Sequence, residues 1–388
     1  MIDLEMKKYK NIGIIGAGSM GIGIAQIAAS VDCKVLLYDQ NKNAAKSSLI
    51  KLEKILTRLI EKDRINTSKK DSILSNIIIL DSLQEVQESD LIIEAIIEDS
   101  NTKKELFIKL ESIVSKDCIF ASNTSSISIT NLASSLNNSD RFIGIHFFNP
   151  APLMPLVEIV PALQTKESLV QEIYDLLLDW NKSPVVAKDT PGFIVNRIAR
   201  PFYSEALRIY EEQIADFATI DFAMKEIGGF KMGPFELMDF IGNDVNYAVT
   251  ESVFKSFYYD PRYKPSFTQK QYADAGWHGR KTKRGYYDYT DNKNSRMPLK
   301  DTNLLNQIFD RILAMLINEA IDALYLGIAT RNDIEMSMTK GVNYPKGLIQ
   351  WGEEMNFSKV VKIIDDLYDK YHEDRYRCSP LLREKALK

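Results

Sequence analysis

A histidine and a glutamate lie in two neighbouring apolar segments of this chain. His146 follows the apolar run 142–145, and Glu158 lies twelve residues later inside the apolar run 156–160. Burying an imidazole or a carboxylate without a partner is costly. If adjacent strands bring the two groups together, the carboxylate holds one ring nitrogen, and the other can take a proton near neutral pH. This segment alone is equally compatible with a His and a Glu that are satisfied separately by backbone groups.

A glycine-rich turn near the N-terminus predicts a dinucleotide site. Gly16, Gly18 and Gly21 form a G-x-G-x-x-G pattern between a short strand and a helical stretch. Gly16 permits the tight turn, Gly18 lets the backbone approach a pyrophosphate, and Gly21 lets the helix pack on the strand.

The residues after this turn complete the predicted cofactor site. Ser19 and Met20 lie in this turn, directly before the helix, whose N-terminus faces the phosphates with free N–H groups and a favourable dipole. Asp39 ends the second strand, 18 residues past the last glycine, and can accept hydrogen bonds from an adenosine ribose diol. Its charge would repel a 2′-phosphate, so the sequence predicts NAD rather than NADP.

The elements that position these residues alternate between strand and helix up to about residue 190. This alternation predicts an α/β fold, a Rossmann-type doubly wound and mostly parallel sheet with helices on both faces. The predicted strands are 11–15, 34–39, 76–80, 90–95, 118–121, 141–145, 156–160 and 184–187, and the predicted helices are 22–30, 41–62, 102–114, 128–136 and 168–181.

Polar residues follow the ends of two of these strands. The segment 122–126, Ser-Asn-Thr-Ser-Ser, follows one strand and His146 follows the next. Ligands in this architecture bind beyond the carboxyl ends of the strands, so we expect both to point toward the nicotinamide side of the site. Ser125 could instead cap the helix 128–136, and Ser126 is an equally good candidate for that cap.

The pattern changes at Pro191-Gly192, which marks a predicted domain junction. We expect an NAD-binding Rossmann-type domain at 1–189, a first helical domain at 190–290 and a second at 299–388, with a polar linker at 291–298. Asn196 lies in the first turns of the helix that starts at the junction. It faces the site if that helix packs against the end of the sheet, or else bonds its own backbone.

The helical part contains an internal repeat. An offset of 114 maps Arg197-Ile198 onto Arg311-Ile312 and Glu205-Ala206 onto Glu319-Ala320, and an offset of 113 maps Arg262-Tyr263 onto Arg375-Tyr376. The second copy is therefore expected to be a helical domain of the same kind. It has Asp310 in place of Asn196 and no dinucleotide fold of its own, so we expect one active site and a structural second copy.

Composition restricts the class of function. The 388 residues carry a net charge of −4 without a broad basic face, so nucleic acid is not implied. The N-terminus has no apolar signal region, and no apolar run approaches the roughly 20 residues that cross a bilayer. Cys33, Cys118 and Cys378 are far apart in sequence and predict buried, reduced thiols in a cytoplasmic protein. No metal-ligand spacing is present, so no metal is expected.

Taken together, these residues resemble the 3-hydroxyacyl-CoA dehydrogenase family, and most closely its bacterial 3-hydroxybutyryl-CoA type. The likeness runs in order over about residues 10 to 290. The motifs that carry it are Gly16–Gly21, Ser122–Ser126, His146–Pro150, Leu156–Glu158, Asp189–Arg197, Met232–Leu237, Gly276–Thr282 and Gly285–Tyr287. Pro155 stands where the family usually has lysine, and His278 replaces an apolar residue. Both could change the acyl pocket or its rim.

The resemblance implies oxidation of a 3-hydroxyacyl-CoA by NAD, with His146 as the catalytic base and Glu158 as its partner. Members of this family act in the breakdown of fatty acids and aromatic acids. The resemblance also implies that Ser125 and Asn196 contact the substrate. Glu98 and Lys103 match the family's contacts to the nicotinamide end of the cofactor.

Two basic residues are candidates for the CoA phosphates. Arg58 and Lys62 are four residues apart on the predicted helix 41–62, so they share a face. They coincide with positions that often contact CoA in this family, although an ordinary solvated face is at least as good an interpretation. The alternatives for the whole chain are a dehydrogenase of a free hydroxy acid and a catalytically idle binding protein on the same fold.

The resemblance also bears on how the two helical copies are arranged. Short members of the family pair through their single helical domain. In the second copy an apolar face repeats at helical spacing, formed by Leu313, Leu316, Ile317, Ala320 and Leu324. We expect the first copy to cover this face, which gives an intrachain pseudo-dimer and a mainly monomeric chain, with a homodimer as the alternative.

Overall fold

A computed structural model describes residues 9–290 and 297–388 of the chain. The contacts divide the chain into two compact units, Met1–Asp189 and Thr190–Lys388. The predicted junction at Pro191-Gly192 lies within two to three residues of this division. Most of the predicted linker 291–298 lies outside the described residues.

The first unit contains one sheet of eight strands in the order β3-β2-β1-β4-β5-β6-β7-β8. The strands are β1 (Asn11–Ile15), β2 (Lys34–Tyr38), β3 (Ile77–Ile79), β4 (Leu91–Glu94), β5 (Ile119–Ser122), β6 (Phe142–Phe147), β7 (Leu156–Pro161) and β8 (Ser183–Val186). Each of the eight predicted strands is present. The strand β6 extends to Phe147, so His146 lies inside the strand. The sequence had suggested that His146 follows the end of the strand.

Neighbouring strands from β3 to β6 run parallel, and β7 pairs antiparallel with β6. Only the segment 148–155 joins β6 to β7. A parallel pair needs a crossover of a dozen or more residues, so this short connection requires the antiparallel pairing. The strand β8 then runs parallel to β7.

Helices cover both faces of the sheet. They are α1 (Ser19–Ser30), α2 (Lys42–Glu61), α3 (Thr67–Ser75), α4 (Ser100–Glu111), α5 (Ile129–Ala133) and α6 (Glu167–Asp179). On one face, α1, α2, α3 and α6 bury a continuous aliphatic core against the strands. On the other, Phe107 of α4 packs edge-on against Phe120 and Phe142, with ring centroids 5.8 and 4.7 Å away. The doubly wound architecture is therefore confirmed.

The second unit is helical throughout its named elements. Its first segment contains α7 (Val195–Ile198), α8 (Arg200–Glu211), α9 (Phe217–Glu226), α10 (Pro234–Ile241), α11 (Asn243–Ser256) and α12 (Phe267–Asp274), and its second segment contains α13 (Thr302–Tyr325), α14 (Arg331–Met336), α15 (Leu348–Met355), α16 (Phe357–Tyr371) and α17 (Pro380–Ala386). At an offset of 114 the bounds of α10 coincide with those of α15. The short 3₁₀ helix Pro261–Tyr263 coincides with Asp374–Tyr376 at an offset of 113. The two segments pack into one compact unit, so their division into two separate domains stays a prediction.

One difference between the segments has a direct cause in the sequence. The helix α13 is continuous, whereas its counterpart in the first segment is broken into α7 and α8 at Ala199. Pro201 lies at the start of α8, where the second segment has Met315. Proline lacks the N–H that an uninterrupted helix needs and clashes with the preceding turn, so the helix restarts there.

The two segments contact each other through apolar and charged side chains. Leu313, Leu316, Ile317 and Ala320 of α13 are buried, and α13 packs against α8 and α9. Glu319 accepts hydrogen bonds from Arg197 and from Arg262.

The reciprocal contacts are also present. Glu205, the counterpart of Glu319, accepts hydrogen bonds from Arg311 and Arg375 of the other segment. The repeat therefore packs on itself with approximate two-fold symmetry.

Three further properties apply to residues 9–290 and 297–388. No helix there is both long and apolar enough to cross a membrane. No group of three or more His, Cys, Asp or Glu side chains there could hold a metal ion. Cys33 and Cys118 are buried free thiols, whereas Cys378 is only partly buried.

Candidate active site

The strand pair β6–β7 places His146 directly opposite Glu158. His146 Nδ1 lies 2.7 Å from Glu158 Oε2. Glu158 is 0% exposed and His146 is 6% exposed. The sequence left open whether the two side chains meet or are satisfied separately, and this geometry brings them together.

The pairing determines which ring nitrogen can exchange a proton. A carboxylate next to Nδ1 favours the tautomer in which Nδ1 donates, so Nε2 carries the lone pair that can accept a proton. The ring of Phe148 lies against the imidazole at a centroid distance of 4.5 Å. This arrangement resembles the carboxylate–histidine part of a catalytic triad, in which the acid orients the ring and stabilises its protonated form.

Ser125 belongs to the loop 124–126, whose polar groups donate hydrogen bonds to one carboxylate oxygen. Glu98 Oε1 accepts hydrogen bonds from the Ser125 N–H at 3.0 Å and from the Ser125 hydroxyl at 3.3 Å. The hydroxyl groups of Thr124 and Ser126 also donate to it, at 2.6 and 3.0 Å. The helix α5 is capped by Ser128, whose hydroxyl accepts from the Asn131 N–H. The alternative that Ser125 or Ser126 caps this helix is therefore wrong.

Lys103 lies between two carboxylates. Its ammonium is 2.6 Å from Glu94 Oε1 and 3.3 Å from Glu98 Oε2, and its side chain is 1% exposed. Burial opposes ionisation of Glu98. Lys103, together with the hydrogen bonds from the 124–126 loop, nevertheless holds the pKa of that carboxyl below its usual value. Glu98 and Lys103, which the resemblance assigns to the cofactor, thus form one network with Ser125, which it assigns to the substrate.

Two residues of this region were not predicted from the sequence. Glu94 ends β4 and is fully buried, with Lys103 and the Ser122 hydroxyl as partners. Asn123 follows β5, and its side-chain oxygen accepts the Phe147 N–H at 2.9 Å, next to His146. Glu94 could have been noticed in the sequence, since it interrupts the apolar run 91–97 just as Glu158 interrupts 156–160.

The glycine turn has the geometry that a pyrophosphate needs. Gly16 has φ +101°, and a Cβ there would lie 2.6 Å from the Ala95 carbonyl oxygen. A Cβ at Gly21 would lie 1.8 Å from the Gly16 carbonyl oxygen, so only glycine allows the helix to approach the strand. At Gly18 a Cβ would meet no protein atom within 4 Å. The backbone at Gly18 is thus open to a ligand.

The start of α1 and Asp39 fit the remaining parts of the dinucleotide. Gly18 is the N-cap of α1 and no side chain caps the helix, so the N–H groups at Ser19 and Met20 are left to phosphate oxygens. The Asp39 carboxylate accepts from the Ala17 N–H at 2.7 Å and from the Asn41 N–H at 2.8 Å. These bonds hold Asp39 beside the glycine turn, where its remaining lone pairs can accept from ribose hydroxyls.

Asn196 belongs to the second unit. It lies in the short helix α7 and is partly buried, and its backbone carbonyl accepts from Arg200 Nε at 3.0 Å. Its counterpart in the repeat, Asp310, pairs instead with Lys359 at 2.8 Å. The equivalent position of the second segment therefore carries a different charge and a different contact.

Arg58 and Lys62 are exposed and belong to the C-terminal end of α2. The helix ends at Glu61, so Lys62 is its C-cap and not a helical residue, contrary to the predicted span 41–62. Within the described residues, neither side chain makes an ion pair. Both positive charges can therefore bind an anion from solution.

The two departures from the family pattern lie in different units. The carbonyl of Pro155 accepts the Ser183 N–H at 2.7 Å, so this proline begins the pairing of β7 with β8. His278 contacts the Ala273 carbonyl through Nε2 at 3.2 Å and lies 3.8 Å from Asp244 through Nδ1.

Two protein-family models match this chain. The model for the 3-hydroxyacyl-CoA dehydrogenase NAD-binding domain matches residues 11–190. The model for the C-terminal domain of the same family matches residues 192–289 and again residues 308–388. Together the matches cover the glycine turn, the His146–Glu158 pair and both copies of the helical repeat.

Individual relatives agree with these matches. A 3-hydroxyadipyl-CoA dehydrogenase from Escherichia coli is 34% identical, over 98% of this chain and 98% of its own length. A crystal structure described as E. coli 3-hydroxybutyryl-CoA dehydrogenase has a TM-score of 0.93 and 33% identity, and the alignment covers 98% of both chains. A shorter relative, a probable 3-hydroxybutyryl-CoA dehydrogenase from Bacillus subtilis, is 40% identical over 73% of this chain and 99% of its own. The chain belongs to the 3-hydroxyacyl-CoA dehydrogenase family and is an NAD-dependent oxidoreductase that acts on CH–OH groups.

Proposed function

We propose that this enzyme oxidises a short 3-hydroxyacyl-CoA, such as 3-hydroxybutyryl-CoA, to the 3-oxoacyl-CoA, with His146 as general base. The observation that carries the proposal is the 2.7 Å contact between His146 Nδ1 and the buried Glu158. A buried imidazole that a carboxylate orients can accept the hydroxyl proton of an alcohol, and the same unit carries the glycine turn for the dinucleotide.

The proton and the hydride leave the substrate by different routes. His146 Nε2 accepts the proton of the C3 hydroxyl while the C–O bond gains double-bond character. When bound, NAD supplies the acceptor for the hydride that leaves C3. Glu158 stabilises the imidazolium that forms. In the direction of reduction the same ring returns the proton as an acid.

Two polar residues are proposed to orient the substrate. The Ser125 hydroxyl would hold an oxygen of the acyl group, and its contacts to Glu98 fix the loop from which it acts. Asn196 is proposed as a second contact because it matches the family's substrate-binding asparagine. Glu98 and Lys103 would meet the nicotinamide end of the cofactor, and Arg58 with Lys62 would meet the CoA phosphates.

The names of the relatives give two candidates for the acyl group. One full-length relative is named for 3-hydroxyadipyl-CoA and a full-length structure for 3-hydroxybutyryl-CoA. The two substrates differ in a terminal carboxylate. We propose the uncharged short acyl group in preference to the dicarboxylic one. Shorter relatives, which match 72% of this chain, are also named for 3-hydroxybutyryl-CoA.

One set of assays tests the proposal. NADH oxidation is followed with acetoacetyl-CoA, 3-oxoadipyl-CoA, longer 3-oxoacyl-CoAs and free acetoacetate. Highest kcat/KM with acetoacetyl-CoA supports the proposal, and highest kcat/KM with 3-oxoadipyl-CoA assigns the dicarboxylic substrate instead. Activity on the free acid alone would support a hydroxy-acid dehydrogenase, and no activity with any of them would support an idle binding protein.

A further inference from the structure

We propose that Glu94 is a positioning residue for the dehydrogenase reaction, because it closes a hydrogen-bonded ring that fixes Glu98 and, through it, Ser125. The inference rests on the role proposed above for Ser125. Glu94 does not belong to the cofactor turn or to the His146–Glu158 pair, and it ends the strand β4 at the edge where the 122–126 loop begins.

The first arm of the ring is electrostatic. Glu94 Oε1 binds the Lys103 ammonium at 2.6 Å and also accepts the Ile96 N–H at 2.7 Å. Lys103 reaches Glu98 Oε2 at 3.3 Å. The ammonium nitrogen is therefore closer to Glu94 than to Glu98. It contacts Oε2 of Glu98, whereas Oε1 of Glu98 accepts hydrogen bonds from the 124–126 loop.

The second arm of the ring uses hydroxyl groups. The Ser122 hydroxyl donates to Glu94 Oε2 at 2.6 Å and accepts the Thr124 N–H at 3.2 Å. The Thr124 hydroxyl then donates to Glu98 Oε1 at 2.6 Å. Both arms start at Glu94 and end at Glu98, and the second passes through the residue next to Ser125.

Burial fixes the Glu94–Lys103 side of this ring, whereas Glu98 at its other end is exposed. Glu94 is 0% exposed and Lys103 is 1% exposed, so water cannot replace a lost partner at either side chain. A buried charge that loses its partner must find another or pay a large penalty. If Glu94 loses its charge, Glu98 is the carboxylate that remains paired with Lys103 among the described residues. Lys103 should then draw Glu98 toward itself and away from the Ser125 N–H and hydroxyl.

The test is Glu94→Gln, which keeps the side-chain volume and removes the charge. We expect kcat with acetoacetyl-CoA to fall about 10- to 100-fold, the range for a displaced orienting group. The KM for acetoacetyl-CoA should change by less than about threefold, since neither arm contacts the CoA phosphates.

A double-mutant cycle shows whether Glu94 acts through Glu98. In a Glu98→Gln background, Glu94→Gln should add less than about threefold to the loss, because the group it positions is already altered. Multiplicative losses would mean that the two residues act independently, which overturns the proposal.

Glu111→Gln is the matched control. Glu111 is a carboxylate of the same unit that pairs with the buried Arg141 at 3.7 Å and accepts the N–H groups of Asn137 and Asn138. It ends α4, and Arg141 directly precedes β6, so the pair lies near the amino ends of the strands, whereas the 122–126 loop lies at their carboxyl ends. This variant should lower the melting temperature and leave kcat unchanged.

A purely structural role for Glu94 predicts the same result for both variants, a lower melting temperature with wild-type kcat, and that result would overturn the proposal. If Glu94→Gln does not fold, Ser122→Ala opens the second arm without changing any charge. We expect it to lower kcat at least threefold, and a wild-type kcat would also count against the ring. Failure of the proposed function is separate, since wild-type enzyme would then be inactive with acetoacetyl-CoA.

Discussion

At the residue scale, the contact between His146 and Glu158 fixes the orientation of the imidazole, because its Nδ1 side faces a buried carboxylate. In the proposed reaction the Nε2 side exchanges a proton with the substrate. The glycine turn, in contrast, is proposed to bind the cofactor through backbone N–H groups and has no titratable group of its own.

This separation predicts the behaviour of two variants. His146→Gln should lower kcat by about 10²- to 10⁴-fold, the usual contribution of a general acid–base group. Binding of NADH, measured by fluorescence titration, should stay near normal. Glu158→Gln should also be strongly impaired. Near wild-type turnover of His146→Gln at saturating substrate would show that the catalytic assignment is wrong.

Asp39 leads to a prediction about the cofactor. A 2′-phosphate placed near this carboxylate would be repelled, and Lys42 is already engaged in an ion pair with Asp81. We expect kcat/KM for NAD to exceed that for NADP by at least about tenfold, which corresponds to ~1.4 kcal/mol. Steady-state kinetics with both cofactors measure the ratio. Equal efficiency would mean that Asp39 does not face the ribose.

The site residues that could be predicted from the sequence differ in one physical respect from those that could not. Glu158 and His146 could be predicted because a polar group in an apolar strand must have a reason to be there. Glu94 satisfies the same criterion. Its partners were not predictable, because Lys103 comes from a helix and Ser122 from another strand, and only the folded register brings them together. The contacts of Ser125 to Glu98 were hidden for the same reason.

At the element scale, the start of α10 depends on a buried carboxylate. Asp221 of α9 accepts the Phe235 and Glu236 N–H groups and the Tyr287 hydroxyl. Burial raises the pKa of Asp221 to about 7, although these hydrogen bonds oppose the shift. The ordinary value is 3.8, so the folded state holds this proton more tightly than the unfolded state.

The shift makes stability depend on pH. The contribution of Asp221 is fully present below pH 3.8 and is lost as the pH rises through about 7. The whole effect is at most about 4 kcal/mol. Asp221→Asn should therefore flatten the fall in the free energy of unfolding between pH 5 and pH 7.5, measured by urea denaturation. The exposed Asp274→Asn is the control and should keep the wild-type slope. An unchanged slope in Asp221→Asn would contradict the raised pKa.

The end of α2 is the element on which the CoA prediction depends. Replacing both Arg58 and Lys62 by alanine should raise the KM for acetoacetyl-CoA and leave that for NADH unchanged. The same charge change at Lys109 and Lys116, which are also exposed, serves as the control. Added salt should weaken CoA binding to the wild type more than to the double variant. If both double variants behave like wild type, the basic pair is an ordinary solvated surface.

Most elements could be predicted from the sequence, because buried parallel strands are nearly continuous apolar runs. The helix α3 was missed. Its sequence Thr-Ser-Lys-Lys-Asp-Ser is polar, and only Ile73 of this helix is fully buried. Its first turn is stabilised locally, since the Asn66 side chain accepts the Lys69 N–H. Such a helix forms because of its cap and its place on the sheet, and neither produces an apolar period.

At the scale of the whole molecule, the two copies of the helical repeat pack against each other. Although burial opposes ionisation, Arg262 and Arg197 hold the pKa of Glu319 below its usual value. Each of these contacts joins one copy of the repeat to the other. Removing one copy would leave Arg197 and Arg262 without the carboxylate that they share, which is strongly unfavourable for buried charges.

The packing of the two copies against each other also predicts the oligomeric state of the chain. We propose that the full chain is mainly a monomer of 44.2 kDa, because the apolar face of α13 is already covered by α8 and α9. The short linker gives the second copy a high effective concentration at the first. Deletion of residues 300–388 should expose the apolar surface of α8 and α9 together with the two arginines. Light scattering should then show aggregation or a new dimer for the truncated chain and a monomer for the full chain. A full-length dimer that the truncation leaves intact and soluble would mean that pairing uses another face.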